Sequence, residues 1–161
     1  MTESLTQRVM YTVVVGIPVK ANGHFLLTQR NAPDHPEVHL KWQLAGGGVE
    51  WGETTEQTLA RELQEELDVS TQLLYPHPIV KTTLWYAKPG GHPVDSHALL
   101  IAYIVAIDDV SPDRQPDEET HAWKWVSLAE AMELDSLPNT KEFLLAAQEL
   151  IEREHLLDHI S

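Results

Sequence analysis

Residues 47–69 read GGVEWGETTEQTLARELQEELDV, and this stretch decides how the chain is understood. From residue 55 to about 67 it has the pattern of a helix. Thr54 stands where it can cap the first turn, with Gln57 three positions on to complete a capping box. Glu53 and Glu56 sit where the helix dipole favours anions. At roughly 100° per residue, Glu62, Glu65 and Glu66 fall within an arc of about 100°, and Leu59, Leu63 and Leu67 form the neighbouring stripe. One flank therefore packs inward while the next gathers three carboxylates. Like charges at these spacings repel one another. A hard divalent cation with oxygen ligands is the natural compensation.

A run of glutamates on a helix is ordinarily a solvated face. Three features set this one apart. The carboxylates border the apolar stripe and do not lie opposite it. A glycine-rich turn, Gly46-Gly47-Gly48, precedes the helix and gives a ligand access to the backbone. Arg61 and Glu53 are spaced to form a salt bridge that fixes the loop against the helix.

Outward from the helix, the first half of the chain is strand-rich. Residues 9–19 and 24–30 are apolar or β-branched runs joined by Ala21-Asn22-Gly23, and Asn-Gly predicts a hairpin. Residues 31–40 contain two prolines and read as a loop. Residues 41–45 are short and apolar before the glycines break the chain. Strands are predicted near 72–74, 79–86 and 97–107, with a hairpin-like loop at 87–96 and a long acidic loop at 108–119. Residues 123–126 alternate like a strand. Ser127 caps a short helix to about Leu134, and Asn139 caps a last helix from 140 to about 155. In that helix Phe143, Leu144, Ala147, Leu150 and Ile151 share one buried face. Strands with helices between and after them give an α/β (α+β) sandwich with a mixed central sheet. One domain over residues 1–161 is expected at this length.

Composition removes several function classes. Eleven basic against 25 acidic residues give a net charge of −14, which speaks against a nucleic-acid polymer or an anionic membrane as partner. The chain has no Cys, so thiol nucleophiles, disulfide scaffolds and zinc–thiolate sites are excluded. The opening residues lack a basic leader region and the first apolar run is short, so a cytoplasmic protein is expected. Among nine His, only His35 and His39 are four apart, and they lie in the Pro-containing loop. The histidines therefore read as surface or loop residues. Neither Gly-x-Ser-x-Gly nor a P-loop is present. The five Trp read as core or pocket wall, with one or two available to stack on a base.

The 47–69 stretch resembles the Nudix box, G-x5-E-x7-R-E-U-x-E-E-x-G-U, where U is a bulky aliphatic. Gly47, Glu53, Arg61-Glu62-Leu63, Glu65-Glu66 and Val69 occupy eight of the nine specified positions. Asp68 stands where the family has Gly, and Ala45-Gly46-Gly47 where it often has Pro-Gly-Gly. Asp tolerates the left-handed backbone expected at position 68 better than most residues. The resemblance implies an α/β/α sandwich and a hydrolase of nucleoside diphosphates linked to a group X, dependent on Mg2+ or Mn2+. It makes Glu62, Glu65, Glu66 and the Gly46 carbonyl metal ligands, and gives Gly47, Glu53 and Arg61 structural roles. A further Glu is expected from the loop before the Trp-containing strand, Glu119 first and Glu118 second, as metal ligand or base. Glu62 or Glu119 would take the proton of the attacking water, and Arg30 would bind the phosphates.

The substrate expected is a small anionic nucleotide, most simply a nucleoside triphosphate cleaved to the monophosphate and diphosphate. Alternatives are a dinucleoside polyphosphate or nucleotide-sugar hydrolase, and a non-catalytic nucleotide-sensing module. Tyr86, 17 residues past Val69, loosely marks the first of these, although a WYA segment more often belongs to a core. A homodimer is allowed for.

Overall fold

The computed structural model describes residues 7–160; residues 1–6, read above as lacking a basic leader, and residue 161 lie outside the described residues. Its spine is a pair of long parallel strands, β1 (Arg8–Pro18) and β7 (Asp95–Ile107). They stay in register from Arg8↔Asp95 to Pro18↔Val105. Parallel neighbours need a crossover, and the connection between them carries helix α1 (Thr55–Leu67). Strand β4 (Gly46–Gly48) lines the outer side of β1, and β5 (Thr71–Leu73) and β6 (Ile79–Trp85) pair antiparallel with β7. The result is a mixed five-stranded sheet. A second, antiparallel sheet has the order β3 (Trp42–Gln43), β2 (Phe25–Arg30), β8 (Thr120–Val126). Helix α2 (Leu128–Met132) and helix α3 (Thr140–Glu154) follow, then a 3-10 turn at Leu156–His159.

Alternation along the strands builds the layers. Val14, Tyr103 and Val105 pack with Leu59, Leu63 and Leu67 of α1. Ile17, Ala102 and Ile104 pack with Phe143, Leu144, Ala147 and Ile151 of α3. The helices thus cover opposite faces of the mixed sheet, an α/β/α sandwich. Burying each of the α1 leucines contributes about 1.5–3 kcal/mol. Among the described residues no helix is long and apolar enough to cross a membrane.

Three local expectations are corrected. Asn22-Gly23 does turn the chain, with the Asn22 Oδ1 accepting from the His24 amide at 3.0 Å. Only the single bridge Val19↔Phe25 closes, however, and β1 and β2 then diverge into different sheets. The three glycines do not simply break the chain; they form β4 at the sheet edge, where Gly46 and Gly47 leave no room for a side chain. Asn139 stands at the N-cap of α3, but its side chain makes no capping bond to the helix. It sits at φ 70° and its amide donates to the Thr82 carbonyl (3.0 Å) and the Thr83 hydroxyl (2.6 Å), tying the helix start to β6.

Candidate active site

Helix α1 is fixed at both ends. The Thr54 hydroxyl accepts from the Gln57 amide at 3.2 Å, and the Gln57 side chain accepts from the Thr54 amide at 2.9 Å. The Thr55 hydroxyl meets that of Tyr103 at 2.7 Å, anchoring the first turn on β7. At the other end Asp68 adopts the left-handed conformation (φ 55°), and its amide donates to the Gln64 carbonyl at 3.0 Å. Asp therefore supplies the helix exit that Gly supplies in the motif.

Arg61 is the hub of the acidic cluster. Its Nε donates to Glu53 Oε1 at 2.9 Å, and its Nη1 to Glu62 Oε1 at 2.9 Å and Glu65 Oε2 at 3.4 Å. Its Nη2 donates to the Gly48 carbonyl at 3.2 Å. Loop, helix and β4 are thereby held by one guanidinium. Burial alone would raise the Glu53 carboxyl, but the Arg61 hydrogen bond and charge outweigh it and hold Glu53 below the usual carboxylate range.

The glutamates differ from one another more than their common arc suggests. Only Glu65 is well exposed; Glu62 keeps 14% of its side-chain surface. Glu66 is buried, so the expected display of three carboxylates is corrected to one exposed, one half-buried and one enclosed. Its Oε1 accepts a long 3.4 Å bond from the Gly46 amide, and its Oε2 is buried with no partner among the described residues. Burial pushes the Glu66 carboxyl up to about 8; the Gly46 amide opposes this, and the charges of Glu62, Glu119 and Asp117 add to it. Burial likewise raises Glu62, against the pull of Arg61, with Glu65 and Glu119 adding. Both helix carboxyls thus feel the charge of Glu119.

These groups border a cavity of about 800 Å3. Gly46, Gly47, Gly48, Glu62, Glu65 and Glu66 line it together with Arg30 and Glu119, whereas Glu118 does not. A Cβ at Gly46 would overlap the Val14 carbonyl oxygen, and one at Gly47 would overlap the Glu62 carboxylate. Glycine at these positions is what lets β4 run close enough for Glu62 and Glu66 to reach past it. Arg30 touches Gln43 Oε1 at 3.5 Å across the wall.

Farther along, Trp85 stacks on His92, with ring centroids 5.4 Å apart and an interplanar angle of 17°. His92 and His35 both line the cavity, so two of the nine histidines read as bystanders belong to its wall. Trp51, by contrast, is fully exposed, neither core nor pocket. Tyr86 is 69% exposed and outside the cavity lining; it is not a core residue. Asn31 also lines the cavity, and Asp117 lies in the loop that bears Glu119; neither carries a strong sequence mark. The available signal was Asp117-Glu118-Glu119-Thr120, an Asp placed to accept from amides two and three residues on.

Among the described residues no three His, Asp or Glu side chains converge as a ready set of metal ligands. Arg61 draws Glu62 and Glu65 to itself, while Glu66 turns to Gly46. The donor chemistry nonetheless fits a hard divalent cation: clustered carboxylate oxygens, one of them buried and unpartnered, with too little positive charge beside them.

Known proteins carry the same features. The family model described as NUDIX domain matches residues 10–147. An 8-oxo-dGTP diphosphatase of Escherichia coli (strain K12) is 37% identical over 118 residues, covering 65% of this chain and 90% of that protein. Phosphatase NudJ of the same strain is 26% identical over 125 residues, 78% of this chain and 74% of the relative. The solution structure of the E. coli ORF135 protein superposes with a TM-score of 0.62 at 29% identity, covering 88% of this chain and 90% of that one. Nudix hydrolases generally use divalent metals. With the box on α1, the sandwich around it and these relatives in agreement, the chain belongs to the Nudix family of diphosphate-bond hydrolases.

Proposed function

We propose that this chain is a Mg2+- or Mn2+-dependent nucleoside triphosphate pyrophosphatase, adding water across a diphosphate bond to give a nucleoside monophosphate and diphosphate. The observation that carries this reading is Glu66: a buried carboxyl with an unpartnered oxygen, at the rim of a large cavity crowded with other acids. An anionic substrate and an acidic wall can meet only across a cation. Glu62, Glu65, Glu66 and Gly46 would hold it, with Glu119 as a further ligand or base. When bound, the cation supplies neutralisation of phosphate charge and a water of lowered pKa.

The chain's own residues do the rest. Glu119, or Glu62, accepts the proton of the attacking water as the new P–O bond forms and the bridging P–O bond breaks. Arg30 provides a fixed positive charge for the phosphates. Arg61 holds Glu53 and β4 against the helix so that the carboxylates keep their spacing. Trp85 and His92 give the cavity an aromatic wall suited to a base. The 37% identical relative is named for a nucleoside triphosphate, which favours that class; Tyr86, exposed and outside the cavity, lends no support to a dinucleoside polyphosphate.

Release of diphosphate and phosphate from a panel of nucleoside triphosphates, dinucleoside polyphosphates and nucleotide sugars, with Mg2+ and with chelator, tests the reading. Metal-dependent release of diphosphate from triphosphates is expected. Preferential cleavage of another class would replace the substrate assignment, and nucleotide binding without any cleavage would make the chain a sensing module.

A further inference from the structure

The loop that delivers Glu119 is held far more tightly than its acidic, Pro-rich sequence suggests. Asp117 Oδ1 accepts from the Glu119 amide at 2.8 Å and from the Thr120 amide at 2.6 Å. The Asp117 amide donates to the Thr120 carbonyl at 2.9 Å, closing the turn on itself. From the end of β2, the Asn31 amide donates to the Glu119 carbonyl at 2.8 Å and the Asn31 side chain to the Asp117 carbonyl at 3.1 Å. Arg114 reaches the other way: its Nη2 donates to the Glu65 carbonyl at 2.9 Å and lies 3.8 Å from Asp117 Oδ2. The main-chain amide and carbonyl of Glu119 are thus both bound, and the loop is tied to the helix turn that bears Glu65 and Glu66.

We infer that Asp117, with Asn31 and Arg114, is a clamp that sets the position of Glu119 relative to the α1 carboxylates, making Asp117 a positioning residue for turnover. The inference rests on the reading of Glu119 as base or metal ligand. A carboxylate on a long loop is a poor base unless its backbone is fixed, because misplacement of about 1 Å can cost about 10²-fold in rate. Among the described residues the exposed Glu119 side chain has no hydrogen-bond or ion-pair partner to steer it; the steering comes from the main chain on either side. Asn at position 117 preserves the Oδ1 acceptor, whereas Ala removes it.

The test compares Asp117→Ala, Asp117→Asn and Glu119→Gln, each also combined as Asp117→Ala/Glu119→Gln. Steady-state turnover with saturating Mg2+ is one readout, and amide hydrogen exchange at Glu119 and Thr120 in the metal-free protein is the other. Asp117→Ala is expected to lower kcat by about 10²-fold, with KM within about twofold, and to speed exchange at both amides. Asp117→Asn should recover most of both. In the Glu119→Gln background, Asp117→Ala should cost no more than about twofold further, since it acts through Glu119.

Wild-type kcat in Asp117→Ala beside an impaired Glu119→Gln would overturn the clamp and leave the base reading standing. An equal loss in both backgrounds would overturn it too, showing that Asp117 acts elsewhere. If Glu119→Gln itself keeps full turnover, the base reading fails on that variant alone, and a kcat loss confined to Asp117→Ala would count against the clamp as well.

Discussion

Helices α1 and α3 cover opposite faces of one sheet, and they are built on opposite principles. The inward face of α3 is apolar: Phe143, Leu144, Ala147 and Ile151 are buried, and every acid on the helix is exposed. The inward face of α1 repeats the i, i+4, i+8 apolar spacing with Leu59, Leu63 and Leu67 but also holds Glu66, buried and, among the described residues, lacking a partner for one oxygen. Helix α1 also has a full capping box and a hydroxyl contact to β7, whereas the start of α3 is tied to β6 through Asn139 without a side-chain cap. The helix that carries a buried carboxyl is the one whose first turn is capped by a side chain. Local destabilisation at a functional group is tolerated where the surroundings over-determine it, and α3 supplies the plain packing that α1 gives up.

The largest effect expected from breaking this contrast is on turnover. Glu66→Gln should lower kcat by about 10²-fold or more, since even residues that only support metal ligands cost 10–100-fold. Its fold should remain, because the amide keeps the shape and does not ionise in the buried site. Circular dichroism and steady-state kinetics at saturating Mg2+ check both halves. The mirror experiment on the other helix is Leu144→Ala. Removing this fully buried side chain should cost about 2–5 kcal/mol of stability and leave kcat per folded molecule unchanged, as measured by denaturant unfolding and active-site-normalised kinetics.

A smaller and more diagnostic effect is expected from pH. The Glu66 carboxyl is raised in the folded state from 4.5 to about 8. Its contribution to stability is therefore fully present below its unfolded value and lost as pH rises through about 8. Glu53, held below its usual range, works in the opposite direction and only near or below its unfolded value of 4.5. In chelator, the melting temperature of the wild type should fall between pH 5 and pH 9 more steeply than that of Glu66→Gln, by several degrees, at about 2–4 °C per kcal/mol for a chain of this size. Parallel melting curves would mean that Glu66 is not buried as described.

Much of this was legible in the chain because the decisive signals are local. The capping box at Thr54 and Gln57, the leucine stripe and the Arg61–Glu53 spacing depend on neighbours within eight residues, and they appear in the structure as bonds. At 100° per residue Glu66 falls about 20° from Leu59, on the edge of the leucine stripe and nearer to it than Glu62 or Glu65, but its burial needs β4 packed against it. What was not legible depends on distant partners. Asn22-Gly23 announces a turn but cannot say that β2 will leave the sheet of β1. Asn139 looks like a cap until Thr82 and Thr83, far back in the chain, offer its amide better partners. His92 reads as a loop residue because nothing local marks its stacking on Trp85. The glycines of β4 read as a break because strand propensity argues against Gly, whereas close approach to Val14 and Glu62 requires it.

On the reading proposed above, the acidic flank of α1 is a divalent-cation site completed by Glu66. Calorimetric titration of the metal-stripped protein with Mn2+ at pH 8, for wild type and Glu66→Gln, tests it without reference to any substrate. The wild type is expected to bind, with proton release from the raised carboxyl, and Glu66→Gln to bind at least about 10-fold more weakly. Equal affinities in the two proteins, or no binding to the wild type, would contradict it.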